Sequence, residues 1–162
     1  EGGFITRQAK EVNGLGDTTL AGSDGMISPD FIAAAGDAAD GMYISGPNLN
    51  FENDLGKHFL AVHQEKYGEP PISAFHAHAY DATKMLLNAI AKVAVKDADG
   101  NLYIGRQALR DALFATKDVK GITGTLNCDA NGDCADPQIV INQIQKGEYV
   151  PVWSEAEGWL NR

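Results

Sequence analysis

The chain lacks a long apolar run. No stretch of its 162 residues approaches the roughly 20 needed for a membrane-spanning helix. Cationic side chains are scarce: 13 Lys and Arg stand against 22 Asp and Glu, a net charge of −9. That balance disfavours nonspecific binding to nucleic acid or to an anionic membrane, so no nucleic-acid partner is expected. Catalytic signatures are missing too. There is no Gly-x-Ser-x-Gly elbow, phosphate loop, dinucleotide fingerprint or zinc-protease motif. Gly14-Leu15-Gly16 follows a helical pattern and precedes a strand pattern, the wrong order for cradling a phosphate. The reading is therefore not an enzyme, without a cofactor. Internal repeats and low-complexity tracts are absent. The chain opens at Glu1 on Gly2-Gly3-Phe4-Ile5, with no visible signal peptide; the expectation is a removed upstream segment or a start inside a longer protein.

What is present fits a globular protein. Hydrophobic residues make up 44%, enough to bury a core. Glycine is frequent, 18 residues or about 11% against about 7% on average, which implies many turns. Cysteine occurs twice, Cys128 and Cys134, with five turn-forming or small residues between. A hairpin there brings the pair within bridging distance, and a local disulfide suits an oxidising compartment. Two free thiols in a cytosolic loop are the alternative.

Periodicity predicts short strands alternating with helices, hence an α/β class. Residues 4–13 read as the end of a helix with Phe4, Ile5, Ala9 and Val12 on one side. Residues 18–21 read as a short strand. Ser28 caps a short helix beginning with Pro29 and ending at Gly36. A strand over 41–46 follows. Helices are expected over 50–67, stopped by Gly68, over 75–95 with Ala82, Leu86, Ala89, Ile90 and Val93 inward, and over 105–116. The 139–145 strand turns at Lys146-Gly147-Glu148 into a partner over 149–153.

Several clusters invite chemistry. Asp97-x-Asp99-Gly100-Asn101 and Asp129-x-Asn131-Gly132-Asp133 look like pieces of calcium loops. Glycine comes fourth rather than sixth, and the twelfth positions are Ala108 and Val140, so turns without metal are the better reading. His58, His63, His76 and His78 lack the i, i+4 spacing of a helical metal site and read as ordinary hydrogen-bonded histidines. Asp24, in Gly22-Ser23-Asp24-Gly25, follows a short strand. Ligands of α/β proteins bind beyond the carboxyl ends of strands, where an acid can pair with a ligand cation. On local sequence alone, a turn or helix-capping Asp is favoured.

The order of motifs adds a resemblance. Gly22-Ser23-Asp24-Gly25, then Ala35-Gly36-Asp37-Ala38-Ala39-Asp40-Gly41-Met42, then Lys66-Tyr67-Gly68, then Ala74-Phe75 through Ala79-Tyr80-Asp81-Ala82, then Gly121-Ile122-Thr123-Gly124 and Asp129-Ala130-Asn131-Gly132-Asp133 together resemble the Leu/Ile/Val-binding-protein family. These are periplasmic or extracellular solute receptors of ABC importers for branched-chain amino acids. The resemblance implies a type I periplasmic-binding fold, here portions of two three-layer α/β lobes linked by crossover segments. It covers only the family's C-terminal half: residues 1–47 in the second lobe, 48–141 in the first, and 142–162 back in the second. It implies that Asp24 binds the ligand's α-ammonium and that Phe75 contacts its side chain. Family members often carry Glu at the acidic position. The groups that hold the ligand carboxylate, and an aromatic contact just upstream of Gly2, belong to the missing half. The Cys128–Cys134 bracket departs from the best-known members. The implied function is capture of a small, hydrophobic amino acid for a membrane permease; the alternative is a sensor ectodomain of the same fold. Association with the missing N-terminal half or with a second copy is expected.

Overall fold

In the computed structural model, residues 1–134 and 138–160 are described. The chain divides into two compact units. Unit 1 comprises Glu1–Asn50, Pro71–Ala74 and Gln138–Arg162; unit 2 comprises Phe51–Pro70 and Phe75–Pro137.

Unit 1 holds helices α1 (Gly2–Glu11) and α2 (Pro29–Ala35) and a five-stranded sheet. Its strands are β1 (Ala21–Gly22), β2 (Tyr43–Pro47), β7 (Ile139–Gln145), β8 (Glu148–Ser154) and β9 (Gly158–Trp159), in the order β1-β2-β7-β8-β9. β1 and β2 are parallel and the other pairs antiparallel. β7 alternates as a half-buried strand should, with Val140, Asn142 and Ile144 inward. It turns into β8 through Lys146 and Gly147, both at positive φ (53° and 81°), the backbone a two-residue hairpin requires. Asp40 braces that turn by accepting the Lys146 N–H at 2.7 Å. The core is Phe31, Ala35, Ala39, Met42, Ile44 and Ile144. Ser28 caps α2 as its sequence predicts, its Oγ accepting the Phe31 N–H at 3.1 Å.

Unit 2 holds α3 (Asp54–Tyr67), α4 (His76–Val93) and α5 (Arg106–Phe114). Two small hairpins accompany them: β3 (Val95–Lys96) with β4 (Leu102–Tyr103), and β5 (Val119–Lys120) with β6 (Thr125–Leu126). Asn53 caps α3 through its Oδ1, which accepts the Gly56 N–H, while its Nδ2 donates to the Ile122 carbonyl, each at 2.8 Å. The Asp97 and Asp129 carboxylates brace their own turns. Asp97 Oδ1 accepts the Asp99 and Asn101 N–H groups, and Asp129 Oδ1 those of Asn131 and Asp133. With the Asn101 amide also donating to Asp97 Oδ2 at 3.0 Å, these bonds hold both carboxyls below the usual carboxylate range, led by the Asn101 side chain for Asp97 and the Asp133 backbone for Asp129. Cys128 and Cys134 are joined as a disulfide across the second of these turns.

Two helix faces differ from the expected ones. α1 buries Gly3 and Thr6, while Phe4 and Ile5 are 58% and 65% exposed. A Cβ on Gly3 would lie 2.7 Å from the Ala34 Cβ, so α1 meets α2 through its smallest residue. On α4 Ala89 is buried as expected, together with Ala77 and Asp81 at twelve and eight residues before it on the same face, whereas Leu86, expected inward, and Leu87 lie exposed. The α4 stripe is set by Asp81, a polar residue that periodicity counts as outward.

Candidate functional site

Asp24 lies in unit 1, in the turn after β1. Residues Asp24–Met26 form one 3-10 turn, entered through an extended Ser23. β1 runs parallel to β2 and ends at Gly22, so this turn sits at the strand's carboxyl end, where open α/β sheets bind ligands. Asp24 as a residue is half-buried, and its Oδ1 accepts the Gly25 N–H at 2.8 Å in an exposed bond. That bond leaves acceptor positions on both oxygens for a donor outside the turn.

The turn is pegged in place by the two residues after Gly25. A Cβ on Gly22 would meet Met26 Sδ at 2.5 Å, with Met42 and Ile44 at 3.0 Å. A Cβ on Gly46 would collide with Ile27 Cδ1. Missing side chains on β1 and β2 thus make the two sockets that Met26 and Ile27 fill. A third fixing comes from β8. The Tyr149 hydroxyl lies 2.6 Å from the Met26 carbonyl and 3.1 Å from that of Ser28, and accepts the Ser28 N–H at 3.2 Å. Burial pushes the Tyr149 phenol above its ordinary pKa, opposed by the Ser28 backbone bond, so it remains a donor through the neutral range.

Phe75 belongs to unit 2 and stands at the N-cap of α4, 42% exposed. Its ring meets His78 edge-on, with centroids 5.9 Å apart. His78 also contacts Phe51 at 6.4 Å. His76 lies edge-on to Phe51 at 5.9 Å and stacks on Phe59 at 5.7 Å. His63 Nδ1 donates to the Glu69 carbonyl at 2.8 Å, which fixes the tautomer with the proton on Nδ1. His78 departs from the expectation of a hydrogen-bonded histidine, because its buried Nδ1 has no hydrogen-bond partner among the described residues. Its pKa is lowered, chiefly by burial; Asp81 opposes that shift and His76 adds to it. The ring that lies edge-on to Phe75 is therefore uncharged at neutral pH.

Behind Phe75, α4 is locked to the loop after β5. Asp81, 5% exposed, accepts the Ile122 N–H at 2.9 Å, and the Thr123 N–H and hydroxyl at 2.8 Å each. A Cβ on Gly121 would come within 2.5 Å of that carboxylate. Two sequence blocks 41 residues apart, Ala79–Ala82 and Gly121–Gly124, thus form one clasp. Asp24 and Phe75 sit in different units, each held by a separate set of partners. Tyr149, Asp81, Gly46 and His78 escaped the sequence reading as supports. The Asp81 and Gly121 blocks carried a signal, since both belong to the ordered motif set. Tyr149 carried none beyond its place in a strand. Among the described residues, no group of three or more His, Cys, Asp or Glu is arranged to hold a metal ion.

Residues 3–148 match the model of a periplasmic binding protein family. The chain is 32% identical over 146 residues to a leucine-, isoleucine-, valine-, threonine- and alanine-binding protein of Pseudomonas aeruginosa, covering 90% of this chain and 36% of that protein. A leucine-binding protein from Thermotoga maritima superposes with a TM-score of 0.73 at 29% identity, over 94% of this chain and 41% of the other. A branched-chain amino acid transporter substrate-binding protein from Streptococcus pneumoniae, solved with isoleucine, gives a TM-score of 0.70 at 26% identity, over 93% and 41%. The chain therefore spans about two-fifths of the length of these relatives.

Proposed function

This chain belongs to the periplasmic binding protein family, and from that premise we propose that it works as part of an extracytoplasmic solute receptor of an ABC importer. The ligand is a small amino acid, branched-chain or otherwise hydrophobic. Residues 1–47 and 142–162 contribute to one lobe and 48–141 to the other, a division that follows the two compact units except at 48–50, 71–74 and 138–141, which pack with unit 1. The receptor is periplasmic or extracellular, and it binds and releases its ligand without turnover. The observation that carries this reading is the match over 90% of the chain to an amino-acid-binding protein. Transport ranks ahead of sensing because a relative is itself a transporter component.

In this reading, Asp24 takes the ligand's α-ammonium. An accessible carboxylate at the carboxyl end of a strand suits that role, because its charge-assisted hydrogen bond to an ammonium strengthens as bound ligand excludes water. Phe75 offers its exposed ring to the aliphatic side chain. The exposed Phe4 and Ile5 of α1, and Leu86 and Leu87 of α4, meet further chain: the rest of the receptor or a second copy. A light-scattering mass of one 17.3 kDa chain, from well-folded protein, would oppose that association.

Calorimetry of the full-length receptor with a panel of amino acids tests the main reading. Binding of leucine, isoleucine or valine is expected. Asp24→Ala should weaken it by about 2 kcal/mol or more, roughly thirtyfold, the cost of removing one partner of a desolvated charge pair. Unchanged affinity in that variant removes Asp24 from the site. Failure of every amino acid to bind removes the function.

A further inference from the structure

The three fixings of the 24–28 turn are not equivalent. Met26 and Ile27 fill apolar sockets, and apolar contacts locate a turn without fixing its rotation. The Tyr149 hydroxyl is directional. It carries one proton and can accept from a second group, and here it reaches the Met26 carbonyl, the Ser28 N–H and the Ser28 carbonyl from a strand more than a hundred residues away in sequence. The Met26 contact, at 2.6 Å, is the shortest and takes the proton. Met26 closes the 3-10 turn that Asp24 opens, and the Ile27 N–H returns to the Asp24 carbonyl at 2.9 Å. Any rotation of the turn at Met26 is therefore passed to Asp24 through one ring of backbone.

We propose that Tyr149 is a positioning residue for the Asp24 carboxylate: its hydroxyl ties the 24–28 turn to β8 and so sets the direction in which the carboxylate meets the ligand's ammonium. This deepens the amino-acid-binding reading above and rests on it. Tyr149 itself touches no ligand in this scheme. Its ring packs against the unit 1 core, which tyrosine and phenylalanine fill alike; only the hydroxyl serves the turn.

The test compares leucine with its des-amino analogue, 4-methylpentanoate, which keeps the carboxylate and side chain but brings no donor to Asp24, on the full-length receptor. Tyr149→Phe should weaken leucine roughly two- to tenfold, the range of one or two net hydrogen bonds, and leave the analogue unchanged. In an Asp24→Asn background, the same substitution should cost leucine nothing further, because coupled groups are non-additive. A fluorinated tyrosine at position 149, whose phenol ionises near neutrality, keeps the fold in hand should Tyr149→Phe express poorly. There the leucine-to-analogue preference should fall as pH rises through that ionisation. Equal losses for both ligands, or a preference that stays flat with pH, overturn the proposal. If Asp24→Asn leaves leucine binding intact, the reading beneath it fails and this proposal fails with it. If Asp24→Asn weakens leucine and Tyr149→Phe does not, this proposal alone is wrong.

Discussion

Replacing Asp81 with alanine removes one carboxylate and strips three donors of their acceptor. Ile122 is 1% exposed, so its N–H would be left in a dry interior, a cost of about 1–3 kcal/mol. The Thr123 amide and hydroxyl are only partly buried and regain water, so together they add about 1 kcal/mol. The expected loss is therefore about 2–4 kcal/mol. Asp81→Asn should fall between, because its carbonyl serves one donor while its amide group faces another. The steric side offers a second handle. A methyl group at Gly121 would lie 2.5–2.9 Å from the carboxylate atoms, so Gly121→Ala should cost about 1–3 kcal/mol in the wild type. Once Asp81 is alanine, the same methyl group enters vacated space. The double variant should be more stable than the sum of the singles predicts. Urea unfolding of the four proteins gives the cycle, and amide exchange at Ile122 and Thr123 localises it. A loss under about 1 kcal/mol for Asp81→Ala, or strict additivity with Gly121→Ala, would refute the clasp.

Three further outcomes follow from single contacts. His78 should titrate below its ordinary value of 6.5 by NMR; because its folded pKa is lowered, stability is full above pH 6.5 and declines as pH falls towards that folded value, a slope that His78→Phe should reduce. Replacing Cys128 and Cys134 together with serine should cost about 2 kcal/mol from the short loop they close, measured by denaturation of the oxidised and substituted proteins. Ser28→Ala should lower stability by about 1 kcal/mol through loss of the α2 cap, read from the shift of the urea midpoint at unchanged slope.

Local structure was legible wherever a few neighbouring residues decide it. Ser28 with Pro29 announces the start of α2, Gly68 the end of α3, and Lys146-Gly147 the β7–β8 turn. The β3–β4 and β5–β6 hairpins were not legible, because two-residue strands leave no period to read. The inward faces of α1 and, apart from Ala89, of α4 differ from the sequence pattern for another reason. Gly3 and Asp81 are buried by what they allow or bond, whereas a count of apolar side chains assigns those positions to Phe4 and Leu86. The candidate site divides in the same way. Asp24 and Phe75 were reached through the ordered motifs of a family, while local sequence offers only a turn aspartate and an aromatic at a helix start. The supports beneath them join residues 26 and 149, or 81 and 122, and no local pattern encodes such pairings.

The path of the chain between the two units governs the order in which they can form during synthesis. β2 leaves the ribosome well before β7, its neighbour in the sheet: Tyr43 pairs with Gln143, a hundred residues later. Every residue of unit 2 is made in that interval. Unit 2 can therefore gather its helices while the β2 edge still waits for its partner. An unpaired edge of that kind is a template for the wrong strand as well as the right one. Nascent-chain folding of unit 1 accordingly depends on how long translation takes to reach Ile139, and slow codons in unit 2 would lengthen the exposure of β2 rather than relieve it.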